Sequence, residues 1–324
     1  MISKHRHKVL ITNPIICQKA IDLLIKIADI KIIEPTSSEE TVINAVKDVD
    51  AILLRTIKIT KKIIKSANNL KIISRHGVGI DSIDVEEATQ RGIIVTNTPQ
   101  ANAEAVSEYT FALILAFFRK IPNGFSMIQK HLWDRKKLIQ RELYHKTIGI
   151  IGLGNIGSRV AQKAKAFEME ILGFDPFISS KNAIKMNVEL VNFTEILKRS
   201  NIITLHTPLT YQTKHLINKK ELDLMKKDVL LVNTARGGLI NEIALVKHLK
   251  NNKRSGACLD SFEEEPLSNK SELPSLDNVI LTPHVAAQSK ESMDRVGLEA
   301  AKNIVAVLEG KIPESICNKK VLEH

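Results

Sequence analysis

Cysteine, aromatic side chains and long apolar runs are all scarce in this sequence of 324 residues. The three cysteines (Cys17, Cys258 and Cys317) are far apart and form no CxxC pair, so neither a disulfide framework nor a cysteine metal site is expected. The longest apolar stretch, residues 111–118, is far below the roughly 20 residues that a membrane-spanning helix needs. The apolar run near the start is too short for a signal peptide. We therefore expect a soluble, cytoplasmic protein without a metal ion or a membrane partner.

The formal net charge of +11 is compatible with nucleic acid, an anionic surface or a small acidic ligand as partner. The lysines are spread along the chain, aromatic residues make up only 4%, and no basic tract with interleaved aromatic residues occurs. The sequence therefore predicts no nucleic-acid partner. The charge gives weak support to an anionic small-molecule substrate.

Short apolar segments alternate with amphipathic helical patterns along most of the chain, and its length favours two domains. Alternation of this kind, rich in Ile and Val, predicts parallel strands covered by helices on both faces. The strands predicted in the first half are residues 8–12, 31–34, 51–55, 71–75 and 92–97. Six more are predicted in the second half, at residues 147–154, 170–176, 201–208, 228–238, 256–262 and 278–284.

Two long helices separate and follow these blocks. The first is predicted over residues 101–122, where Pro122 ends it, and the second over residues 289–308. The first helix is apolar over most of its circumference, so it should be buried at a domain junction or a subunit interface. The fold class is thus predicted to be α/β with two doubly wound domains.

A GxGxxG motif, Gly152-Leu153-Gly154-Asn155-Ile156-Gly157, joins the predicted strand TIGII to a helical pattern. In that setting the first glycine allows a tight turn, the second lets a pyrophosphate approach closely, and the third allows helix–strand packing. Asp175 follows at the end of the next strand, where a carboxylate can bind both ribose hydroxyls and repel a 2′-phosphate. The motif therefore predicts a dinucleotide site that favours NAD over NADP.

Three further strand ends carry polar residues at the carboxyl edge, where open α/β sheets bind ligands: Arg236, Glu265 and His284. Each residue also has a purely structural explanation, since arginine can cap carbonyls and a histidine at a strand end is often structural. Glu265 belongs to the acidic stretch DSFEEEP, residues 260–266, which could be simply a solvated turn. Together with the glycine loop, the three residues suggest one catalytic site.

The ordered motifs of this chain resemble those of the D-isomer-specific 2-hydroxyacid dehydrogenases, and most closely the D-3-phosphoglycerate dehydrogenase branch. The resemblance covers nearly the whole chain. Besides GLGNIG it rests on LLRT (53–56), SRHGVGIDSID (74–84), VTNTPQANAEAVSE (95–108), LWDRKK (132–137), LHTPLTYQTKHLI (205–217) and LVNTARGGLINE (231–242).

The resemblance implies a two-domain architecture in which the substrate-binding domain is discontinuous. This flavodoxin-like domain would comprise residues 1–98 and 287–324, and a Rossmann-type NAD-binding domain would comprise residues 99–286. It also implies a homodimer with the helix near residues 101–120 in the interface. The serine-sensing regulatory domain of longer family members is expected to be absent.

The resemblance further implies residue roles for reduction of a 2-keto acid by NADH. His284 is expected to be the general acid, Glu265 its carboxylate partner, and Arg236 the cation that grips the substrate carboxylate. Substrate contacts are also expected from the backbone of Gly77, Val78 and Gly79 and from the side chains of Arg55 and Arg135. Cofactor contacts are expected from Gly152, Gly154, Asn155, Ile156, Gly157, Asp175, His206, Thr207, Pro208, Thr213, Thr234, Ala235, Arg236, Asp260, His284 and Ala286, with Asp260 near the nicotinamide.

The function implied first is an NAD-dependent D-3-phosphoglycerate dehydrogenase of serine biosynthesis, with a hydroxypyruvate or glyoxylate reductase as the alternative. Formate dehydrogenases of the superfamily carry glutamine where Glu265 stands, which disfavours that activity. An alternative of another class is an NAD(H)-sensing binding protein, similar to corepressors that share the fold. Within the acidic stretch, Glu265 is expected to carry the proton chemistry, while Glu263 and Glu264 are expected to be solvated charges.

Overall fold

The computed structural model of this chain describes residues 6–323, which divide into two compact units. The first unit contains residues 6–102 together with residues 288–323, and the second contains residues 103–287. The chain therefore passes from one unit to the other after Asn102 and returns after Ala287.

The first unit is a parallel five-stranded sheet in the order β2-β1-β3-β4-β5, which is the flavodoxin-like doubly wound order. Two separate clusters of buried aliphatic side chains pack in this unit, as expected when helices cover both faces of a sheet. Its elements are β1 (His7–Ile11), α1 (Gln18–Ile25), β2 (Ala28–Ile32), α2 (Glu39–Val46), β3 (Ala51–Leu54), α3 (Lys61–Ser66), β4 (Ile72–Arg75), α4 (Val85–Gln90), β5 (Ile94–Thr96) and α12 (Lys290–Leu308).

The second unit is a parallel seven-stranded sheet in the order β12-β11-β10-β9-β6-β7-β8. The order reverses between β9 and β6, as in the Rossmann fold, and such reversals are where open α/β sheets bind ligands. Its elements are α5 (Ala103–Phe118), α6 (Ile121–Gln129), β6 (Thr147–Ile151), α7 (Asn155–Ala166), β7 (Glu170–Phe174), α8 (Ser180–Lys185), β8 (Glu189–Leu190), α9 (Phe193–Arg199), β9 (Ile202–Leu205), α10 (Lys219–Leu224), β10 (Leu230–Asn233), α11 (Glu242–Asn251), β11 (Gly256–Leu259) and β12 (Val279–Leu281).

The predicted α/β class with two doubly wound sheets is confirmed, but two local predictions were wrong. The helix predicted to continue to Pro122 ends at Phe118, and Pro122 instead lies in the first turn of α6. Proline is tolerated there because the first-turn N–H groups have no partner within the helix. Strand β8 was missed because it has only two residues and one of them is the exposed Glu189.

Helix α5 is largely buried, as its composition predicted. Many of its buried side chains pack against other residues of the second unit, to which the helix belongs. Nine of its sixteen residues are buried, among them Phe111 and Ile114, which belong to the core cluster that includes side chains of β6 and β10. Within residues 6–323 no single helix is long and apolar enough to cross a bilayer. The pair α5 and α6, bent by 59°, meets such a test by length and composition only.

Candidate functional site

The glycine-rich loop follows β6 and leads into α7, and its three glycines have three different surroundings. Gly152 has φ +91°, and a Cβ there would lie 2.6 Å from the carbonyl oxygen of His206. A Cβ on Gly157 would lie 1.9 Å from the carbonyl oxygen of Gly152, so close packing of helix on loop requires glycine. Around Gly154, by contrast, nothing lies within 4 Å of an added Cβ. The loop thus leaves open space above the first N–H groups of α7, where a pyrophosphate would bind.

Asp175 follows β7 and lies beside this loop. Its Oδ2 accepts a hydrogen bond from the Leu153 N–H, and its Oδ1 accepts one from the Phe177 N–H, both at 2.8 Å. A cavity of about 560 Å³ is bordered by Gly154, Asp175 and the apolar side chains of Phe177 and Met186. The open space above Gly154, and the Asp175 carboxylate next to a cavity that is lined in part by apolar side chains, fit the pyrophosphate, ribose and adenine of NAD.

Other residues expected to contact the cofactor have side chains that shape the loop after β9. The His206 Nε2 lies 2.9 Å from Thr204 Oγ1, and burial lowers the pKa of His206 to about 3, so its ring is neutral at physiological pH. Within the described part of the chain, His206 Nδ1 has no hydrogen-bond partner. The Thr213 hydroxyl donates to the Pro208 carbonyl at 2.6 Å, which closes this loop on itself.

Arg236 lies in a turn after β10 that is organised by the buried side chain of Asn233. The Asn233 Nδ2 donates to the Arg236 carbonyl at 2.8 Å, and its Oδ1 accepts from the Ala235 N–H at 3.0 Å. The preceding Thr234 hydroxyl lies 3.1 Å from Thr110 Oγ1 of α5, so this side chain faces the protein interior. Asn233 was not selected from the sequence, although it stands in the motif that was.

His284 and Glu265 form a direct contact, with His284 Nδ1 2.8 Å from Glu265 Oε2. The other carboxylate oxygen, Oε1, accepts from the Phe262 N–H at 3.0 Å, which fixes the orientation of the carboxylate. Burial alone would raise the pKa of Glu265. The hydrogen bonds from His284 and Phe262 and the positive charges of His284 and Arg236 outweigh it and hold this pKa below its ordinary value. The backbone of His284 has φ +54°, an unusual conformation for a residue other than glycine.

Of the two other glutamates that were expected to be merely solvated, Glu263 forms specific contacts. Glu263 Oε1 accepts from the Glu242 N–H at 2.8 Å, and Glu263 Oε2 lies 3.2 Å from His215 Nε2. Burial, together with the charges of Glu263 and Glu265, raises the pKa of Glu242. Glu263 therefore ties the stretch to the start of α11. Glu264 is exposed and has no such contact among the described residues.

In the first unit, the loop Gly77-Val78-Gly79 follows β4, and its three N–H groups differ in whether they donate a hydrogen bond within the protein. Gly77 has φ +130°, and its N–H donates to Thr98 Oγ1 at 3.1 Å. The N–H groups of Val78 and Gly79 have no acceptor among residues 6–323. The prediction that this loop binds a substrate carboxylate therefore applies to the Val78 and Gly79 amides.

The carbonyl groups of the same loop are held by two side chains that sequence reasoning did not select. The Arg75 Nε donates to the Gly79 carbonyl at 2.9 Å, and the Arg75 Nη1 donates to the His76 carbonyl at 2.6 Å. The Asn97 Nδ2 donates to the Val78 carbonyl at 2.8 Å. With their carbonyls tied back, the loop can present its N–H groups to an anion.

Arg55 lies at the carboxyl end of β3, next to this loop. Its Nη1 donates to the Ile15 carbonyl at 3.0 Å and lies 3.3 Å from Asn13 Oδ1, and burial lowers the pKa of the guanidinium. His76 is only 6% exposed, and burial together with the charges of Arg55 and Arg75 lowers its pKa to about 4. A neutral histidine beside two arginines leaves the charge of this region positive.

The expected site residues therefore fall into groups by unit. The second unit brings Arg236, Glu265 and His284 together at the carboxyl edge of its sheet, and the glycine loop and Asp175 lie at the same edge. In the first unit, Arg55 follows β3 and the Gly77–Gly79 loop follows the neighbouring strand β4. Arg135 begins a short 3₁₀ helix, Arg135–Leu138, and is exposed. Among the described residues, no group of three or more His, Cys, Asp or Glu side chains could hold a metal ion.

Comparison with known proteins shows the family to which this chain belongs. Residues 111–286 match the family described as D-isomer specific 2-hydroxyacid dehydrogenase, NAD binding domain. The chain is 44% identical over 313 residues to the D-3-phosphoglycerate dehydrogenase of Methanocaldococcus jannaschii, covering 96% of this chain and 59% of that protein. This chain thus spans little more than half the length of that relative.

Two further proteins are similar over nearly their whole length. The glyoxylate reductase of Thermofilum pendens is 41% identical over 330 residues, covering 98% of this chain and 96% of that protein. Among solved structures, D-lactate dehydrogenase from Aquifex aeolicus, complexed with NAD and lactic acid, has a TM-score of 0.86 and 31% identity. The alignment covers 96% of this chain and 99% of that one.

Proposed function

Because this chain belongs to the D-isomer specific 2-hydroxyacid dehydrogenase family, and its second unit is an NAD-binding domain, we propose that it interconverts a D-2-hydroxy acid and the corresponding 2-keto acid with NAD as cofactor. The single observation that carries this proposal is the 2.8 Å contact between His284 Nδ1 and Glu265 Oε2. It lies at the carboxyl edge of a sheet whose glycine loop and Asp175 fit the dinucleotide.

In the direction of reduction, the protonated His284 ring donates a proton to the carbonyl oxygen of the substrate. The carboxylate of Glu265 stabilises the imidazolium and holds Nδ1, and the proton is transferred from Nε2. In the oxidative direction, the same ring accepts the proton of the hydroxyl group. When bound, NADH supplies the hydride that reduces the carbonyl carbon.

Arg236 provides the positive charge for the substrate carboxylate and carbonyl. Its guanidinium is a planar donor that can form two parallel hydrogen bonds to a carboxylate. The turn held by Asn233 fixes the backbone from which this side chain extends. Within the first unit, the Val78 and Gly79 amides can bind an anion, because the carbonyl groups of these two residues accept hydrogen bonds from Asn97 and Arg75.

The substrate we propose is 3-phosphohydroxypyruvate, with 3-phosphoglycerate as its reduced partner, which would place the enzyme in serine biosynthesis. The support is the partly buried side chain of Arg55, which follows the strand next to the one that leads into the Val78-Gly79 loop, together with the D-3-phosphoglycerate dehydrogenases among the relatives. The exposed Arg135 is a candidate second cation for the phosphate. The alternative substrates, hydroxypyruvate and glyoxylate, are supported by the Thermofilum pendens relative, which this chain matches over nearly its full length.

Initial rates of NADH oxidation with 3-phosphohydroxypyruvate, hydroxypyruvate, glyoxylate and pyruvate test this proposal. We expect the highest kcat/KM for 3-phosphohydroxypyruvate. Arg55→Gln should lower that value about 10- to 100-fold, since a hydrogen bond to a charged group contributes about 1.5–3 kcal/mol. The same variant should change kcat/KM for hydroxypyruvate little, and Lys58→Gln, at an exposed position nearby, serves as the matched control. An equal or higher kcat/KM for hydroxypyruvate would identify the reductase instead, and no turnover with any keto acid would favour the binding protein.

We further propose that the protein is a homodimer. The support is a set of exposed apolar side chains on α6 and the segment after it: Ile121, Phe125, Ile128, Leu132 and Trp133, which are 55–81% exposed. No residue of α6 is buried within the chain. A contiguous exposed apolar surface of this kind marks interaction sites in proteins. One chain has a mass of 36.2 kDa, and sedimentation equilibrium of the wild type should give twice that value. Phe125→Glu should lower the measured mass toward that of the monomer.

A further inference from the structure

The segment after β9, residues 206–215, packs on the glycine-rich loop and ends at His215. A Cβ on Gly152 would lie 2.6 Å from the His206 carbonyl oxygen, so the segment and the loop meet backbone against backbone. The segment therefore borders the site proposed for the pyrophosphate of the nucleotide. His215 was not selected from the sequence, although it stands in the motif LHTPLTYQTKHLI.

The segment is closed into a turn by two of its own threonines. The Thr213 hydroxyl accepts from the Thr210 N–H at 2.7 Å and donates to the Pro208 carbonyl at 2.6 Å. The Thr213 N–H donates to Thr210 Oγ1 at 3.2 Å. These three bonds hold residues 208–213 as one unit between the glycine-rich loop and His215.

His215 contacts the two segments that carry Arg236 and Glu265. Its N–H donates at 2.8 Å to the carbonyl of Gly238, two residues after Arg236. Its Nε2 lies 3.2 Å from Oε2 of Glu263, two residues before Glu265. An ionised carboxylate only accepts hydrogen bonds, so Nε2 is the donor in this contact. One residue thus joins the segment after β9 to both catalytic segments.

The backbone conformation of His215 indicates that the ring itself has a use. The residue has φ +52°, a conformation that costs free energy when a side chain is present and that glycine adopts freely. A glycine would keep the N–H bond to the Gly238 carbonyl. What it would lose is the ring contact with Glu263, so the strain is retained together with that contact.

Glu263 in turn holds the acidic stretch through a reciprocal pair of bonds. The Glu242 N–H donates to Glu263 Oε1 at 2.8 Å, and the Glu263 N–H donates to Glu242 Oε1 at 2.6 Å. The stretch also packs directly on the Arg236 turn, because a Cβ on Gly237 would overlap the Phe262 carbonyl group. Exchange of the Glu242 and Glu263 amide hydrogens therefore reports how firmly the stretch is held.

We propose that His215 is a positioning residue that couples nucleotide binding to the order of the acidic stretch. A nucleotide on the glycine-rich loop fixes residues 206–215, and the contact with Glu263 extends this order to the segment that carries Glu265. The inference rests on the proposed NAD site. The side chains of His215 and Glu263 are 30% and 36% exposed, so solvent screens their contact and limits the coupling to a factor of about five.

Adenosine diphosphate (ADP) tests the coupling, because it carries the pyrophosphate and the adenosine but no nicotinamide that could touch the acidic stretch. Hydrogen–deuterium exchange, read by mass spectrometry, compares peptides containing Glu242 and Glu263 with and without saturating ADP. In the wild type, ADP should slow exchange in these peptides about two- to fivefold. In His215→Gly this slowing should be lost although ADP still binds. His215→Gln keeps a donor at similar reach and should retain it.

His131→Gly is the matched control, since His131 is exposed and has φ +56° but lies in the segment after α6. Its response to ADP should equal that of the wild type. Glu263→Gln alters the contact from its other side and should also lose the slowing, so it decides the question if His215→Gly does not fold. Both variants should weaken ADP binding by up to about fivefold, and the double variant no further, because all three lack the same contact.

Slowing by ADP that persists in His215→Gly would overturn the proposal, and so would its absence in a wild type that binds ADP. A wild type that does not bind ADP would contradict both the NAD site and this inference. Slowing that depends on His215, in a protein that reduces no 2-keto acid, would support the coupling and refute only the proposed reaction.

Discussion

Replacement of Glu265 by glutamine removes the charge that faces the His284 ring while it preserves the size of the side chain. The carboxylate uses both oxygens, one for the Phe262 N–H at 3.0 Å and one for His284 Nδ1 at 2.8 Å. A glutamine has only one acceptor, so it cannot accept from both. If its oxygen stays with Phe262, its NH₂ group faces Nδ1 and favours a ring whose Nδ1 carries no proton. The neutral imidazole is the form that cannot donate a proton to the substrate.

The size of the expected pH shift depends on how exposed the His284–Glu265 pair is to solvent. The side chains of His284 and Glu265 are 48% and 38% exposed, so solvent screens their attraction strongly. A pair of this exposure contributes about 1 kcal/mol at most, which corresponds to about 0.7 of a pH unit. We therefore expect the alkaline limb of kcat/KM for reduction to move toward lower pH in Glu265→Gln by up to about 0.7 unit. The direction is fixed because loss of a negative charge destabilises only the protonated ring.

Initial rates of NADH oxidation, measured across the pH range at subsaturating keto acid, give this limb directly. Glu264→Gln is the matched control, since Glu264 lies in the same stretch, is exposed and has no contact with the ring. Its profile should coincide with that of the wild type. Glu263→Gln is a poorer control, because Glu263 bonds to the Glu242 N–H and lies against His215. An unmoved limb in Glu265→Gln, or an equal shift in Glu264→Gln, would refute the reasoning.

Three further predictions concern the nucleotide site and stability. Gly154→Ala should weaken NADH binding without lowering Tm, because the added Cβ meets no protein atom within 4 Å. Gly157→Ala should instead lower Tm, with a loss of about 1–3 kcal/mol in the free energy of unfolding, because its Cβ would lie 1.9 Å from the Gly152 carbonyl oxygen. Asp175→Ala should lower the preference for NADH over NADPH in kcat/KM at least about tenfold, because a charge-assisted contact to the ribose is lost. His76 binds a proton in the unfolded chain near pH 6.5 but in the folded chain only near pH 4, so stability should fall by up to about 3 kcal/mol as the pH drops through that interval. His76→Gln should flatten this part of the Tm profile and the exposed His131→Asn should not, and equal slopes in both variants would contradict the assignment.

The parts of the fold that the sequence could predict are those set by local pattern. Apolar runs rich in Ile or Leu, such as residues 51–55 and 147–154, predicted strands, and the GxGxxG motif predicted the dinucleotide loop. A two-residue strand such as Glu189–Leu190 has no usable pattern, because a period cannot be recognised in so few residues. The end of the first long helix was predicted at Pro122, although this proline lies in the first turn of the next helix, α6.

The parts of the candidate site that could not be predicted depend on hydrogen bonds between distant residues. Resemblance could nominate Gly77, but only the structure shows that its N–H is used by Thr98. It could nominate Asp260, but not its three bonds to a loop more than twenty residues later. Arg75 and Asn97 were not predicted as site residues. Their side chains donate hydrogen bonds to carbonyl groups of the Gly77–Gly79 loop, and neither composition nor motif spacing indicates such contacts.

The account depends most on His284 as the proton donor in NADH-dependent reduction of a 2-keto acid. The direct test compares NADH oxidation by the wild type and by His284→Asn, since asparagine tolerates the positive φ of this position. We predict turnover by the wild type and a loss of about 100- to 10,000-fold in kcat for the variant, with NADH binding retained. Turnover by His284→Asn near the wild-type rate would contradict the central claim.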